Sequence, residues 1–211
     1  MFATANTLLL VLLVRGAAST TTDLSQKCLH LLQNGNSQKC LQTLLTYPNQ
    51  DEIATSPQLN AILAVASVDL HQYQLAVNAS STALRLSRSS PAIAAAARPV
   101  LGAALLNLGQ YKAAARELSK CLSSRTGMEV DMNTVQHLAR ARTASRQHKH
   151  AARELTKYCR ARFASFPSKS KKASVPHDPS MSNAFLCWSI VGKMQSISKN
   201  QNQANKAYDT A

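Results

Sequence analysis

The chain has 211 residues and a net charge of +14, with 45% hydrophobic residues, only 5% aromatic residues and six glycines. Alanine, leucine, serine and glutamine dominate, which favours helices over sheets in one large or two small domains. No stretch reaches the ~20 apolar residues of a membrane-spanning helix, so the sequence excludes such a span.

The positive charge is confined to one block of the sequence. Residues 1–84 hold three basic and four acidic side chains, whereas residues 85–172 hold eighteen basic and four acidic ones. The remaining residues have a net charge of +1. Because the excess charge is local, it predicts a basic surface on one part of the fold.

The N-terminal segment, residues 1–22, has two interpretations. An apolar run from Leu8 to Val14 precedes small residues that end at Ala18, as in a signal peptide or an organellar presequence. The same run also fits a first apolar helix that packs under the rest of the fold. A cleaved segment predicts the secretory pathway or an organelle, and a structural helix predicts a cytoplasmic or nuclear complex.

A helix–turn–helix pattern recurs along the chain. The stretch LGAALLNLGQYKAAARELSKCL predicts an apolar helix, a tight turn at Gly109 and a second helix with Ala114 and Leu118 on one face. With this stretch as the third copy, five copies follow one another at spacings of 36 to 53 residues. The other copies have apolar or small residues at the corresponding positions. These are Leu24, Cys28, Leu31, Gly35, Cys40 and Leu44 in the first copy; Leu63, Ala64, Tyr73, Ala76, Ser80, Ala83 and Leu86 in the second; Leu138, Ala139, Ala151, Leu155 and Tyr158 in the fourth; and Trp188, Val191, Gly192, Ala204, Tyr208 and Ala211 in the fifth.

The pattern resembles the tetratricopeptide repeat (TPR), which is written W-x2-L-G-x2-Y, then A-x3-F, then P. In the third copy, Leu101 and Gly102 match the L-G pair, and Ala114 and Leu118 match A-x3-F. Arg98 replaces the tryptophan, and the closing proline is also missing. The resemblance implies an all-α fold, a right-handed α-solenoid of about five TPR-like antiparallel helix pairs.

The copies also predict the domain boundaries. The first four repeats occupy residues 23–162, and the fifth occupies residues 183–211. Between them, residues 163–182 are rich in serine, proline and lysine, which predicts a flexible basic linker. The fifth copy stops inside its second helix, so we expect that either the natural protein continues or a partner covers that end.

The sequence has no constellation typical of an enzyme or a metal site. It lacks G-x-S-x-G, a glycine-rich phosphate loop and H-E-x-x-H, and the pair His148 and His150 lacks further metal ligands. The five cysteines are odd in number and lie in apolar helical patterns, which predicts reduced, buried thiols. We therefore expect no catalytic residue, no metal, no cofactor and no small-molecule substrate.

Two copies carry the same basic row on their second helix, in QYKAAARELSKC and QHKHAARELTKY. Each row has three cations at i, i+4 and i+8 on one helical face. The rows are Lys112, Arg116 and Lys120, and Lys149, Arg153 and Lys157. They predict a face for an anionic partner, such as RNA, an acidic protein segment or a membrane surface, unless they form a plain solvated face. The scarcity of nearby aromatic residues favours contact with phosphates over reading of bases.

The resemblance also implies a concave groove built from the first helices. The polar residues it directs there are Asp69, Asn107, Gln136, Arg140 and Lys193. Small residues there, namely Ala61, Val65 and Ala103, suit an extended peptide. We therefore expect a non-enzymatic protein–protein interaction scaffold that assembles a multiprotein complex. The alternative is an RNA-contacting subunit of a ribonucleoprotein or organellar gene-expression complex that uses the basic face of residues 112–172.

Overall fold

The computed structural model describes the backbone of residues 20–123, 131–163 and 179–209. The chain divides into two compact units, residues 1–131 and 132–211. Within the described ranges all regular structure is helical, which confirms the expected all-α class. The helices are α1 Thr20–Gln33, α2 Ser37–Leu45, α3 Gln50–Thr55, α4 Pro57–Asp69, α5 Tyr73–Leu86, α6 Pro91–Asn107, α7 Tyr111–Ser123, α8 Met132–Ala144, α9 His148–Arg162 and α10 Pro179–Asp209, with a 3-10 turn at Ser87–Ser89.

Parts of the predicted boundaries lie outside the described residues. This holds for the N-terminal segment up to residue 19 and for residues 164–178 of the predicted linker. None of the helices in the described ranges is both long enough and apolar enough to cross a membrane.

Four antiparallel hairpins, α1/α2, α4/α5, α6/α7 and α8/α9, share one turn geometry. One residue of each turn has a left-handed backbone, with φ between 57° and 76°, and these residues are Gly35, His71, Gly109 and Arg146. In each case the next N–H bonds to the carbonyl five residues back, as from Gln110 to Leu105 at 2.9 Å. This is the Schellman motif, which satisfies the free carbonyls at a helix end. The turns recur every 36 to 38 residues, which is the register expected from the first four copies.

Substitutions at these turns test the motif. A side chain in the left-handed conformation costs about 1 kcal/mol relative to glycine. Arg146→Gly is therefore expected to raise the free energy of unfolding of the second unit by about 1 kcal/mol, and Gly109→Ala to lower that of the first by about 1 kcal/mol. Urea titration measures both. Arg146→Ala is the control, since it removes the exposed side chain but keeps the Cβ atom. An equal gain from Arg146→Ala would contradict the backbone explanation.

Helix α4 is the central helix of the first unit. Its sequence is apolar on all sides, and its nine consecutive residues from Leu59 to Ser67 are buried. It packs against α1, α2, α3, α5 and α6. The Ser56 hydroxyl caps its N-terminus by accepting a hydrogen bond from the Leu59 N–H at 3.3 Å. The buried Asn60 amide ties α3 to α4 by donating to the Ile53 carbonyl at 2.6 Å.

Small residues let paired helices approach closely, as the repeat positions predict. Ala76, Ala114 and Ala151, each on the second helix of its hairpin, have no exposed surface. Between α6 and α7 the approach is closer still, because a Cβ atom on Gly102 would lie 2.4 Å from Cγ of Leu118. The alanines and leucines of the repeated stretches are therefore explained by packing.

The second unit consists of the α8/α9 hairpin and α10, which packs against both helices of the hairpin. From Pro179 to Asp209 the chain is one continuous helix. The prediction of a linker up to residue 182 and a fifth helix pair in residues 183–211 is therefore wrong. No residue described in this helix adopts a left-handed conformation, and no glycine or proline follows Gly192 to stop it.

A disulfide joins Cys159 of α9 to Cys187 of α10, with the two Cα atoms 6.0 Å apart. The prediction of five reduced thiols is therefore wrong for this pair. The partners are 28 residues apart in sequence, and they meet only because α10 packs against α9. The remaining cysteines, Cys28, Cys40 and Cys121, are free and buried, as expected.

Candidate anion-binding groove

An open groove of about 740 Å³ lies along α9 and α10 in the second unit. Five cations line it, namely Lys149, Arg153, Lys157, Arg160 and Lys199. The other lining residues are small or polar, namely Ala152, Thr156, Ala161, Gln195 and Ser198. Among the described residues, the lining thus contains neither an acidic side chain nor an aromatic ring. We call this site the α9/α10 groove.

The sequence of α9 fixes which of its side chains face the groove. Ala151, Leu155 and Cys159 recur at intervals of four residues and are fully buried, so they set the rotation of the helix. The basic row, two residues out of phase with this buried stripe, remains exposed. With a rise of 1.5 Å per residue, the cations from Lys149 to Arg160 extend over about 16 Å.

Glu154 is the one acidic residue of α9, and it is bound outside the groove. Its carboxylate pairs with the guanidinium of Arg142 on α8, at 3.1 Å between Oε2 and Nη2. Arg142 also donates a hydrogen bond to the side chain of Gln147, at the turn of the same hairpin. Within the described ranges, no ion pair involves any of the five groove cations.

The equivalent row on α7 is arranged differently, although its sequence is nearly the same. Lys112, Arg116 and Lys120 are exposed on the first unit. Here the acid of the repeated stretch, Glu117, pairs with Lys120 in its own helix, at 2.6 Å. The two copies of AARELxK therefore differ in how much of their positive charge is compensated. Among the described residues, no acidic side chain pairs with any of the three cations of the α9 row.

Two residues predicted for the concave groove lie in the first unit. Asp69, the last residue of α4, is half-buried, and its carboxylate accepts a hydrogen bond from the Ser37 hydroxyl at 2.7 Å. Asn107, at the end of α6, is exposed, and its amide donates to the Ala103 carbonyl at 2.9 Å. The Asp69 contact joins α4 to the start of α2, which gives this side chain a structural role.

The other three lie in the second unit. Gln136 is half-buried and Arg140 exposed on α8, and Lys193 is exposed on α10. The expectation that small residues of the first unit line the concave groove is wrong, because Ala61, Val65 and Ala103 are buried. These three pack the hairpins of the first unit and do not line an open surface.

Sequence reasoning missed the residues that α10 contributes to the α9/α10 groove. Lys199, Gln195 and Ser198 were expected to belong to a separate fifth hairpin. Their spacing carries no signal for a binding site, because they meet the α9 row only through helix packing.

The free thiols are not arranged for nucleophilic chemistry. Burial raises the pKa of Cys121 to about 12. Cys40 donates a hydrogen bond to Cys28, which raises the pKa of Cys40 and lowers that of Cys28. Neither side chain of this pair has exposed surface, so no reagent reaches Cys28 in the folded protein.

The described part of the chain is thus all-α. Its first unit contains three consecutive helical hairpins, the arrangement of an α-solenoid, and its second unit, a hairpin and one further helix, holds a basic groove. No protein-family model and no curated protein matches the sequence.

The chain is similar to the solved structure of the MamA RS-1 ArsTM double mutant, a TPR-like helical-repeat protein. The TM-score is 0.50 at 17% sequence identity, over 93% of this chain and 98% of that one. At this identity the likeness shows the fold alone, and it supports the expected helical-repeat fold.

Proposed function

We propose that the chain is a non-enzymatic scaffold of TPR-like hairpins that binds protein partners. The observation that carries this proposal is the α9/α10 groove, which is open and holds five cations without acidic partners among the described residues. Helical repeats commonly use such open helix surfaces for binding. The likeness to a TPR-like fold supports a binding role of this kind.

The side-chain chemistry supports the non-enzymatic part of the proposal. Among the described residues, no three His, Cys, Asp or Glu side chains lie together as a metal site would require. The free thiols are buried, and Glu154 is held by Arg142. What remains exposed in the groove is positive charge, which is suited to binding an anionic partner.

We also propose Arg140 and Lys193 as partner contacts, because both side chains are exposed in the second unit. Asp69 is a weaker candidate, since its carboxylate is already bonded to Ser37. RNA contact through residues 112–172 is the alternative. Positive charge supports it, but Phe163 is buried, Tyr158 is half-buried, and neither lines the groove.

A quantitative pull-down with the full chain tests the scaffold proposal. Arg140→Glu/Lys193→Glu is expected to lose partners that the unaltered chain recovers, because charge reversal repels a docked surface. The control, Lys27→Glu/Lys39→Glu, makes the same change in net charge at exposed positions of the first unit. It should leave recovery unchanged. Identical partners for all three proteins would count against the proposed contacts.

A further inference from the structure

We propose that the α9/α10 groove binds an extended acidic peptide segment of a partner protein. The inference rests on the proposed scaffold function and adds the chemistry of the partner. Five cations converge on the groove from two helices, and none has an acidic partner among the described residues. A partner that supplies several carboxylates would compensate this charge.

The spacing of the cations fits an extended chain. Lys149, Arg153 and Lys157 are four residues apart on one helix, which places them about 6 Å from one another. In an extended peptide, side chains on the same face are about 6.6 Å apart. Acidic residues at every second position would therefore lie opposite successive cations. The groove length of about 16 Å accommodates about five such peptide residues.

The rest of the lining favours a peptide over a nucleic acid. Single-stranded nucleic acids are bound by stacking their bases on aromatic rings, and none of the described residues that line this groove is aromatic. Gln195 and Ser198 instead offer donors and acceptors that can bond to a peptide backbone. The Thr156 hydroxyl donates to the Ala152 carbonyl at 2.6 Å, so it adds an acceptor. Ala152 and Ala161 leave room for that backbone to approach.

The disulfide holds the two walls of this site together. Cys159 lies on α9 between Lys157 and Arg160, and Cys187 lies on α10, which contributes Lys199. The groove is therefore built on two helices that are covalently joined. Such a preformed site loses little conformational entropy when it binds.

Fluorescence anisotropy with the oxidised full chain tests the proposal. The probe is a labelled ten-residue peptide of alternating glutamate and serine, compared with the same peptide carrying glutamine in place of glutamate and with a ten-nucleotide uridine RNA. The acidic peptide is expected to bind at 50 mM salt and to weaken as salt increases, whereas the glutamine peptide should not bind.

The repeated stretch supplies a matched control. Lys149→Glu/Arg153→Glu is expected to weaken binding about tenfold or more. The equivalent change on α7, Lys112→Glu/Arg116→Glu, should change it by less than about twofold. If both pairs weakened binding equally, net charge alone would explain it and the groove assignment would fail. Arg153→Gln is the milder substitution, with a smaller loss expected in the same direction, should the double reversal lower the melting temperature.

Two other results would overturn the inference. One is that the acidic peptide does not bind at 50 mM salt. The other is that the RNA binds more tightly than the peptide and is released by Lys149→Glu/Arg153→Glu, which would make the groove a nucleic-acid site. The scaffold proposal is judged separately, by partner loss with Arg140→Glu/Lys193→Glu, so the failure of one proposal is not the failure of the other.

Discussion

Cys159→Ala/Cys187→Ala is expected to lower the free energy of unfolding of the second unit by about 3.5 kcal/mol. The disulfide closes a loop across 28 residues of sequence, and its loss gives the unfolded chain more conformational freedom. The single tryptophan of the protein, Trp188, lies on α10, so its fluorescence in a urea titration reports on this unit.

Counting the alkylated cysteines tests whether the disulfide is present. Alkylation of the unfolded chain without reductant should modify Cys28, Cys40 and Cys121 only, and all five cysteines with reductant. Reductant should destabilise the unaltered protein and leave the double alanine variant unchanged. Five modified cysteines before reduction, or equal stability of the two proteins, would show that α9 and α10 are not joined in this way.

Gly102→Ala is expected to lower the free energy of unfolding of the first unit by about 1 kcal/mol, and Gly102→Val by about 3 kcal/mol. Alanine is normally favoured over glycine inside a helix by about 1 kcal/mol. Here the added Cβ atom would lie 2.4 Å from Cγ of the fully buried Leu118, so the paired helices must move apart. Urea titration followed by circular dichroism measures the loss.

Gly192→Ala is the matched control for this effect. Gly192 also lies inside a helix, α10, but a Cβ atom there would meet nothing within 4 Å. Its replacement should therefore stabilise the second unit by about 0.5–1 kcal/mol, through helix propensity alone. In the Gly102→Ala background, Leu118→Val should recover part of the loss. Stabilisation by Gly102→Ala would mean that α6 and α7 do not approach this closely.

The hairpins could be predicted because their signals are local. Gly109 marks a turn by its residue type, and Ala114 and Leu118 recur at the period of a helix face. His71 and Arg146 give no such signal, yet their turns follow from the 36- to 38-residue register. The prediction of a fifth helix pair was wrong for the opposite reason. Its apolar positions matched the pattern, but no residue after Gly192 stops the helix.

The basic row of α9 could also be predicted from the sequence, since Lys149, Arg153 and Lys157 lie four residues apart on a helix whose other face is apolar. The two copies of AARELxK also predicted equal basic rows on α7 and α9. They are unequal because Glu117 pairs within its own helix, whereas Glu154 reaches Arg142 on α8. That difference depends on the neighbouring helix, so two nearly identical stretches do not predict it.

The sequence by itself thus determined the helical class, the register of four hairpins and the positions of the exposed cations, because each follows from the periodicity of one helix. Only the tertiary structure decided that Lys199 joins the α9 row in a groove and that Cys159 meets Cys187. Both depend on how α10 packs against α9, across a sequence interval that has no periodicity linking the two helices. Such packing is set by many weak contacts together, so no single pair of residues in the sequence predicts it.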